Sequence, residues 1–233
     1  MSNTFFNWKF LAAHKASNYP VIYSAVSSML TGKTWYATKH TDIIIDGFPR
    51  SANTYATFAF DSVQDTRYNI AHHIHKKSQF LIGAKYNIPA ILLIRNPADC
   101  IVSTLIRQPK YNPESLFAGY FLMYDSLQKM DSFVVGEFTE VLKDFGSIIK
   151  KVNSKYGTRF SIYEKSDENE KRVKNIVQNQ DELKNASDYE QRVAYPTDKR
   201  KEEKRRLKEI IQLPKYSKQL GKCIHVFEKI VSA

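Results

Sequence analysis

The chain has 233 residues, 42% apolar and 13% aromatic; that suits one α/β domain with a sizeable core and excludes a low-complexity or collagen-like chain. Thirty-five Lys and Arg against 24 Asp and Glu give a net charge of +11, a surface that attracts nucleic acid, anionic lipid or a charged nucleotide without choosing among them. Two cysteines, Cys100 and Cys223, with no Cys-x-x-Cys pair or Cys/His cluster, exclude a disulfide framework and a structural zinc, and fit a reducing, cytoplasmic compartment.

The first 40 residues hold two short amphipathic segments, 5–11 and 21–30. Neither has the basic leader and apolar run of a signal peptide, and neither is long enough to span a bilayer. They are read as helices packing on the domain. Residues 42–47 read DIIIDG, and three consecutive Ile predict a short, fully buried strand. A loop over 48–52 leads into a helix over 53–64, where Tyr55, Phe58, Ala59 and Val63 recur at helical spacing.

A second strand is expected over 68–73 and a helix over 77–86. Residues 89–95, PAILLIR, form the clearest buried strand. Asn96-Pro97 ends it, and Pro97 suits the first turn of a helix through Arg107. A Phe-, Leu- and Tyr-rich helix follows over 113–130, then a strand over 132–135, an amphipathic helix over 143–156, and a short strand or extended segment over 159–163. Strands alternating with helices predict an α/β fold of three layers, a mainly parallel central sheet flanked by helices.

This core runs from 41 to 163. From 164 to 208 the composition turns to Glu, Lys, Asp, Asn and Gln, which predicts an exposed helix and a mobile loop rather than a second domain. Thr197 or Asp198 is placed to cap a helix through Ile211. Pro214 breaks it, and 215–231 forms the last helix. No internal repeat is present, so the whole chain, 1–233, reads as one domain.

Two segments carry chemistry. In the first, Gly47-Phe-Pro-Arg-Ser-Ala-Asn-Thr-Tyr55, a strand passes through a tight loop into a helix start. The first amides of a helix have no partner within it and carry partial positive charge, so they bind anions. Arg50 adds a fixed charge; Ser51 and Thr54 add hydroxyls. The Gly-Lys-Ser/Thr of a nucleotide-triphosphatase loop is missing, which disfavours metal-assisted ATP hydrolysis. The plainer alternative is an ordinary turn capped by Ser51 or Asn53.

In the second, ILLIRNPADCIVSTLIR over 91–107, Arg95 leaves a strand end and Ser103 lies about two helical turns further on. An Arg fork with a hydroxyl suits a phosphate monoester. The plainer alternative is an ion pair of Arg95 with Asp99. Between the two segments lies His72-His73-Ile74-His75. On an extended strand His73 and His75 would share a face, and a neutral His suits proton removal near pH 7. Zinc ligation is disfavoured because three such close histidines do not face one point; a third reading leaves them as plain surface histidines.

The loop after the first strand resembles the 5′-phosphosulfate loop of sulfotransferases, typically Tyr-Pro-Lys-Ser-Gly-Thr-Thr-Trp. The second segment is similar to that family's 3′-phosphate motif. The resemblance is clear from 42 to about 107. It implies a P-loop-like nucleotide-binding core and transfer of the sulfuryl group of 3′-phosphoadenosine 5′-phosphosulfate (PAPS), without a metal, to a hydroxyl or amine, with adenosine 3′,5′-bisphosphate as product. Arg50 falls where the family has Lys or Arg and would grip the sulfuryl and bridging oxygens. Ser51 and Thr54 match; Ala52 replaces a Gly and Asn53 a Thr. Ala52 implies a loop without positive φ there. Tyr55 falls at the aromatic position that packs on adenine, and Arg95 and Ser103 would take the 3′-phosphate.

Aligned on the family's Lys-Thr-His-Leu-Pro, His75 is the general base and His73 a sulfate contact, or, one register away, His73 is the base. A late basic loop in the family closes over the 3′-phosphate; Arg192 is the candidate here, with Arg200 the alternative. The run over 199–206 otherwise reads as a solvated helix face with Glu202 and Glu203 pairing to basic neighbours. The acceptor is unspecified: a sugar, a phenol or a lipid suits the aromatic-rich segments about equally. No nucleic-acid recognition motif accompanies the charge. The rivals are a kinase or nucleotide hydrolase, a degenerate nucleotide binder, and a basic nucleic-acid or membrane-surface binder.

Overall fold

The computed structural model describes the backbone of residues 3–182 and 198–232, and side chains up to residue 176 and from 201. Its centre is a sheet of four strands, β1 (Ile43–Gly47), β2 (Ile70–His72), β3 (Ala90–Ile94) and β4 (Val134–Glu137). Their order is β2-β1-β3-β4 and every pairing is parallel. Parallel neighbours require crossovers, and helices supply them: α3 (Asn53–Asp61) between β1 and β2, α4 (Ser78–Tyr86) between β2 and β3, α5 (Pro97–Arg107) and α6 (Pro113–Tyr124) between β3 and β4.

Every residue of β1 and β3 is buried, which is why these strands read as unbroken apolar runs. Their side chains alternate between two cores. Ile44, Leu92 and Ile94 join Phe80 of α4, Ile101 of α5 and Tyr124 of α6. Ile43, Ile45, Ile91 and Leu93 join Phe60 of α3 and Phe145 of α7 (Phe138–Tyr156). The expected three-layer α/β architecture is therefore the observed one. Three further helices follow α7 among the described residues: α8 (Asp167–Glu182), α9 (Asp198–Ile211) and α10 (Ser217–Val231). α8 packs on α3, while α9 and α10 pack on α5 and α6.

Local boundaries differ from the sequence reading. α6 ends at Tyr124, and a 3₁₀ turn, Leu127–Lys129, replaces its expected last turn. α7 begins at Phe138 rather than 143. Glu137 caps it by accepting hydrogen bonds from the Thr139 and Glu140 amides, and Asp144 breaks its backbone regularity at φ −152°. Residues 159–163 form no strand. Within the charged stretch from 164 the expected helix is present; residues 183–197, including the proposed cap Thr197, lie outside the described ones.

The N-terminal helices, α1 (Asn3–Ala16) and α2 (Pro20–Thr31), pack on α6 and α4 respectively. Phe6 and Phe10 of α1 pack against Tyr111 and Phe48, and Tyr23 of α2 lies edge-on to Tyr36. Asn7, His14 and Ser24 are buried, while Trp8, Ile22, Met29 and Leu30 are 64%, 68%, 87% and 79% exposed. Both segments are helices packed on the domain, and part of their apolar surface faces outward.

Candidate active site

The strand order reverses at β1: its neighbours are β2 on one side and β3 on the other. Loops leave the carboxyl ends of β1 and β3 there, the usual ligand position in open parallel sheets. The loop after β1 starts at Gly47, where an added Cβ would sit 2.0 Å from the Leu93 carbonyl oxygen. Only glycine permits this approach to β3. The Phe48 amide donates to the Tyr124 hydroxyl (2.8 Å), which donates in turn to the Leu93 carbonyl (2.7 Å). The Tyr120 hydroxyl donates to the Arg95 carbonyl at 2.8 Å. Two tyrosines of α6 thus brace both strand ends from below.

On this frame Arg50 and Arg95 meet. Arg50 Nε donates to Ser103 Oγ at 2.9 Å, and Arg95 Nη1 donates to the Arg50 carbonyl at 3.1 Å. The Arg95 guanidinium lies 3.8 Å from the centre of the Phe138 ring. Asp99, the alternative partner of Arg95, instead pairs with Lys208 (2.8 Å) and Lys204 (3.7 Å) of α9. The expected juxtaposition of two loops through Arg50, Arg95 and Ser103 is present in space.

The start of α3 faces the same corner. Its first helical bond runs from the Ala56 amide to the Ala52 carbonyl, so the Asn53, Thr54 and Tyr55 amides precede the ladder. No side chain caps it, against the alternative of a turn capped by Ser51 or Asn53. Ser51 is buried with its Oγ 3.7 Å from Cys100 Sγ. The Asn53 amide group donates to the Phe48 carbonyl at 3.0 Å. Asn53 Oδ1 and Thr57 Oγ1 are buried without a hydrogen-bond partner. Ala52 sits at φ 67°, which corrects the expectation that this loop avoids positive φ. Cys100 donates to the Pro49 carbonyl at 2.9 Å, and burial pushes its thiol up to about 12, so it is a packing group and not a nucleophile.

The histidine segment is not an extended strand. β2 stops at His72, and His73 and His75 have φ of 55° and 57°. The shared face expected of a strand is therefore corrected: a tight turn, not a pleat, brings the rings together at 5.7 Å between centroids. Asp46, at the end of β1 and wholly buried, holds this turn. Its Oδ2 accepts from the Ile74 and His75 amides, each at 3.0 Å, and its Oδ1 lies 3.2 Å from His75 Nδ1. Burial alone would raise the Asp46 carboxyl; the hydrogen bond and charge of His75, then the charge of His73, overcome it and hold the group below its ordinary value.

His75 Nδ1 lies 2.7 Å from the Gly47 carbonyl oxygen. A carbonyl only accepts, so Nδ1 carries the proton, and in the neutral ring Nε2 holds the lone pair. Both nitrogens of His73 are engaged: Nε2 with Thr54 Oγ1 at 3.0 Å and Nδ1 with His72 Nδ1 at 2.6 Å. His72 stacks on Trp35, and its burial lowers its pKa. Among the described residues no three His, Cys, Asp or Glu side chains form a metal-binding group.

Tyr55 is half-buried, edge-on to Tyr163, and its hydroxyl donates to Glu170 of α8 at 3.3 Å. Arg192 lies outside the described residues, as does the side chain of Arg200. Glu202 pairs with Arg205 at 2.6 Å on the exposed side of α9.

Sequence reasoning missed Asp46, Tyr120, Tyr124 and Lys76. A carboxylate ending an otherwise apolar strand was the available signal for Asp46; nothing in a Tyr-rich helix distinguishes bracing hydroxyls from packing rings. Lys76 is buried over the Phe10 ring, its Nζ donates to the His75 carbonyl at 3.2 Å, and burial lowers its pKa to about 8.

No family model and no curated protein matches the chain. Among solved structures, mouse sulfotransferase SULT7A1 complexed with PAP is similar at a TM-score of 0.41 and 13% identity, over 82% of this chain and 90% of that one. A likeness at that level carries no argument about this chain's fold or chemistry.

Proposed function

We propose that the chain is a sulfotransferase that moves the sulfuryl group of PAPS to a hydroxyl or amine. The observation that carries this reading is the meeting of Arg50, Arg95 and Ser103 at the β1/β3 reversal, beside the uncapped start of α3. A nucleotide with phosphate-bearing groups on both its 5′ and 3′ arms needs two cationic anchors from separate loops, and this corner supplies them. The buried, unpartnered Asn53 Oδ1 and Thr57 Oγ1 suit a polar ligand at this corner.

In this reading Arg50 and the leading amides of α3 offset charge on the departing phosphate. Arg95 and Ser103 orient the 3′-phosphate; Thr54 ties the α3 start to His73. The acceptor lone pair forms the new bond to sulfur as the sulfur–oxygen bond to the phosphate breaks, releasing adenosine 3′,5′-bisphosphate. The acceptor proton passes to His75 Nε2. The tautomer enforced by the Gly47 carbonyl favours His75 over His73 for this task, since both His73 nitrogens are already engaged. Tyr55 and Arg192 remain candidates for the adenine and the 3′-phosphate.

The test is calorimetric titration with adenosine 3′,5′-bisphosphate and with Mg-ATP, followed by transfer of labelled sulfuryl group to a panel of sugars, phenols and lipids. The reading expects tight binding of the bisphosphate, weak binding of ATP, and transfer to at least one acceptor class. Binding of ATP alone would point to a kinase or hydrolase instead.

A further inference from the structure

Helix α2 leaves most of its apolar side chains facing outward. Its inward side carries Tyr23, edge-on to the buried Tyr36 at 6.3 Å, together with Ser24, buried, and Ser27 and Ser28, partly covered. Its outward side carries Ile22, Val26, Met29 and Leu30, spaced at i, i+4, i+7 and i+8 and therefore on one stripe. These four are 68%, 51%, 87% and 79% exposed. Isolated exposed apolar residues are ordinary; a continuous stripe of four on one helix marks an interaction surface.

The ends of the stripe are aromatic and basic. Tyr19, just before α2, is 70% exposed, and Trp35, just after it, is 39% exposed with Lys33 Nζ 5.8 Å from its ring. Residues 1–41 contain Lys9, Lys15, Lys33 and Lys39 and no Asp or Glu; these four lysines are exposed. Trp35 also stacks on His72 with centroids 4.9 Å apart, so the surface runs up to the histidine corner.

We infer that the α2 face is a docking surface for an anionic lipid bilayer, α2 lying in the interface plane with Ile22, Val26, Met29 and Leu30 among the acyl chains. An apolar stripe, flanking Trp and Tyr, and exposed lysines without neighbouring carboxylates in residues 1–41 are the features that such binding uses. Charge decides against a second copy of this chain. A two-fold contact through this face sets like surfaces together, and residues 1–41 offer no carboxylate to meet the opposing lysines. At 12 residues α2 is too short to cross a bilayer; it lies on the surface. The inference does not depend on the donor chemistry.

The experiment is co-sedimentation of the full chain with phosphatidylcholine vesicles containing phosphatidylglycerol, at low and high salt, beside analytical ultracentrifugation without lipid. The expected result is binding to the anionic vesicles that weakens with salt, falls about tenfold or more in the Ile22→Glu/Met29→Glu double variant, and leaves the bisphosphate affinity of that variant unchanged. Both positions are exposed, and unchanged circular dichroism checks that the variant folds. No vesicle binding at low salt overturns the inference. So does binding that the double variant retains, which would assign it to the general +11 charge. Self-association of the wild-type chain that the double variant abolishes would make the occupant a second copy, and also overturns it.

Discussion

Arg50, Ala52, His73 and His75 hold φ angles of 71°, 67°, 55° and 57°, and only one other non-glycine residue among the described ones, Asn87 at the end of α4, has a positive φ. Left-handed backbone costs an ordinary residue roughly 1–2 kcal/mol, so strain is gathered at one corner, where two loops must present side chains and amides inward. Ala52→Gly should raise stability by about 1 kcal/mol in chemical denaturation, because glycine adopts that φ without a Cβ clash. Arg50→Ala should lower sulfuryl transfer by about 100-fold or more with the fold intact. His75→Ala should lower kcat by about 100-fold with the fold intact, whereas His73→Ala should lower it much less. Asp46 titrates with a definite sign. Its pKa is lowered on folding from 3.8, so its contribution is full above that value and is lost as pH falls through the lower folded-state value. Acid unfolding followed by circular dichroism should therefore be displaced to higher pH in Asp46→Asn, which lacks the paired carboxylate at every pH.

At the scale of elements, α6 is a brace as much as a core helix. Tyr124→Phe removes the hydroxyl that joins the Phe48 amide to the Leu93 carbonyl. Leaving those buried groups unpaired should cost about 1–3 kcal/mol and loosen the corner where Arg50 and Arg95 meet, measured by denaturation and by titration with adenosine 3′,5′-bisphosphate together. Lys76, one residue past the histidine turn, shifts in the same direction as Asp46 but for a different reason and in a different pH range. Its pKa drops from 10.5 to about 8 because burial disfavours the charge. The unfolded chain then binds more protons between those values, and stability rises as pH climbs from 8 toward 10, until buried tyrosines begin to ionise in the unfolded chain. Lys76→Met should flatten that rise in a pH series of melting temperatures and should be the more stable protein at pH 7.

Across the whole molecule, the strands β1 and β3 were legible because burial on both faces writes them as apolar runs, and the segments after them because Arg50 and Arg95 sit at strand-to-helix junctions with Ser103 about two helical turns further on. What escaped the sequence depends on contacts distant along the chain. The His73 and His75 turn is fixed by Asp46, more than 25 residues earlier, and a local period-2 reading turned it into a strand. The outward face of α2 escaped for a related reason: periodicity finds an apolar side but not the direction in which it points. The role of Arg192 belongs to a segment outside the described residues. The proposed function requires one nucleotide to be held by two loops of one sheet. The most direct test is the shift in melting temperature with adenosine 3′,5′-bisphosphate, for the native chain and for Arg50→Ala and Arg95→Ala. Ligand at about 100 times its dissociation constant stabilises the native state by ~2.7 kcal/mol, so a rise of several degrees is expected in the native chain and little or none in either variant; an unshifted native chain, or an equal rise in all three, contradicts it.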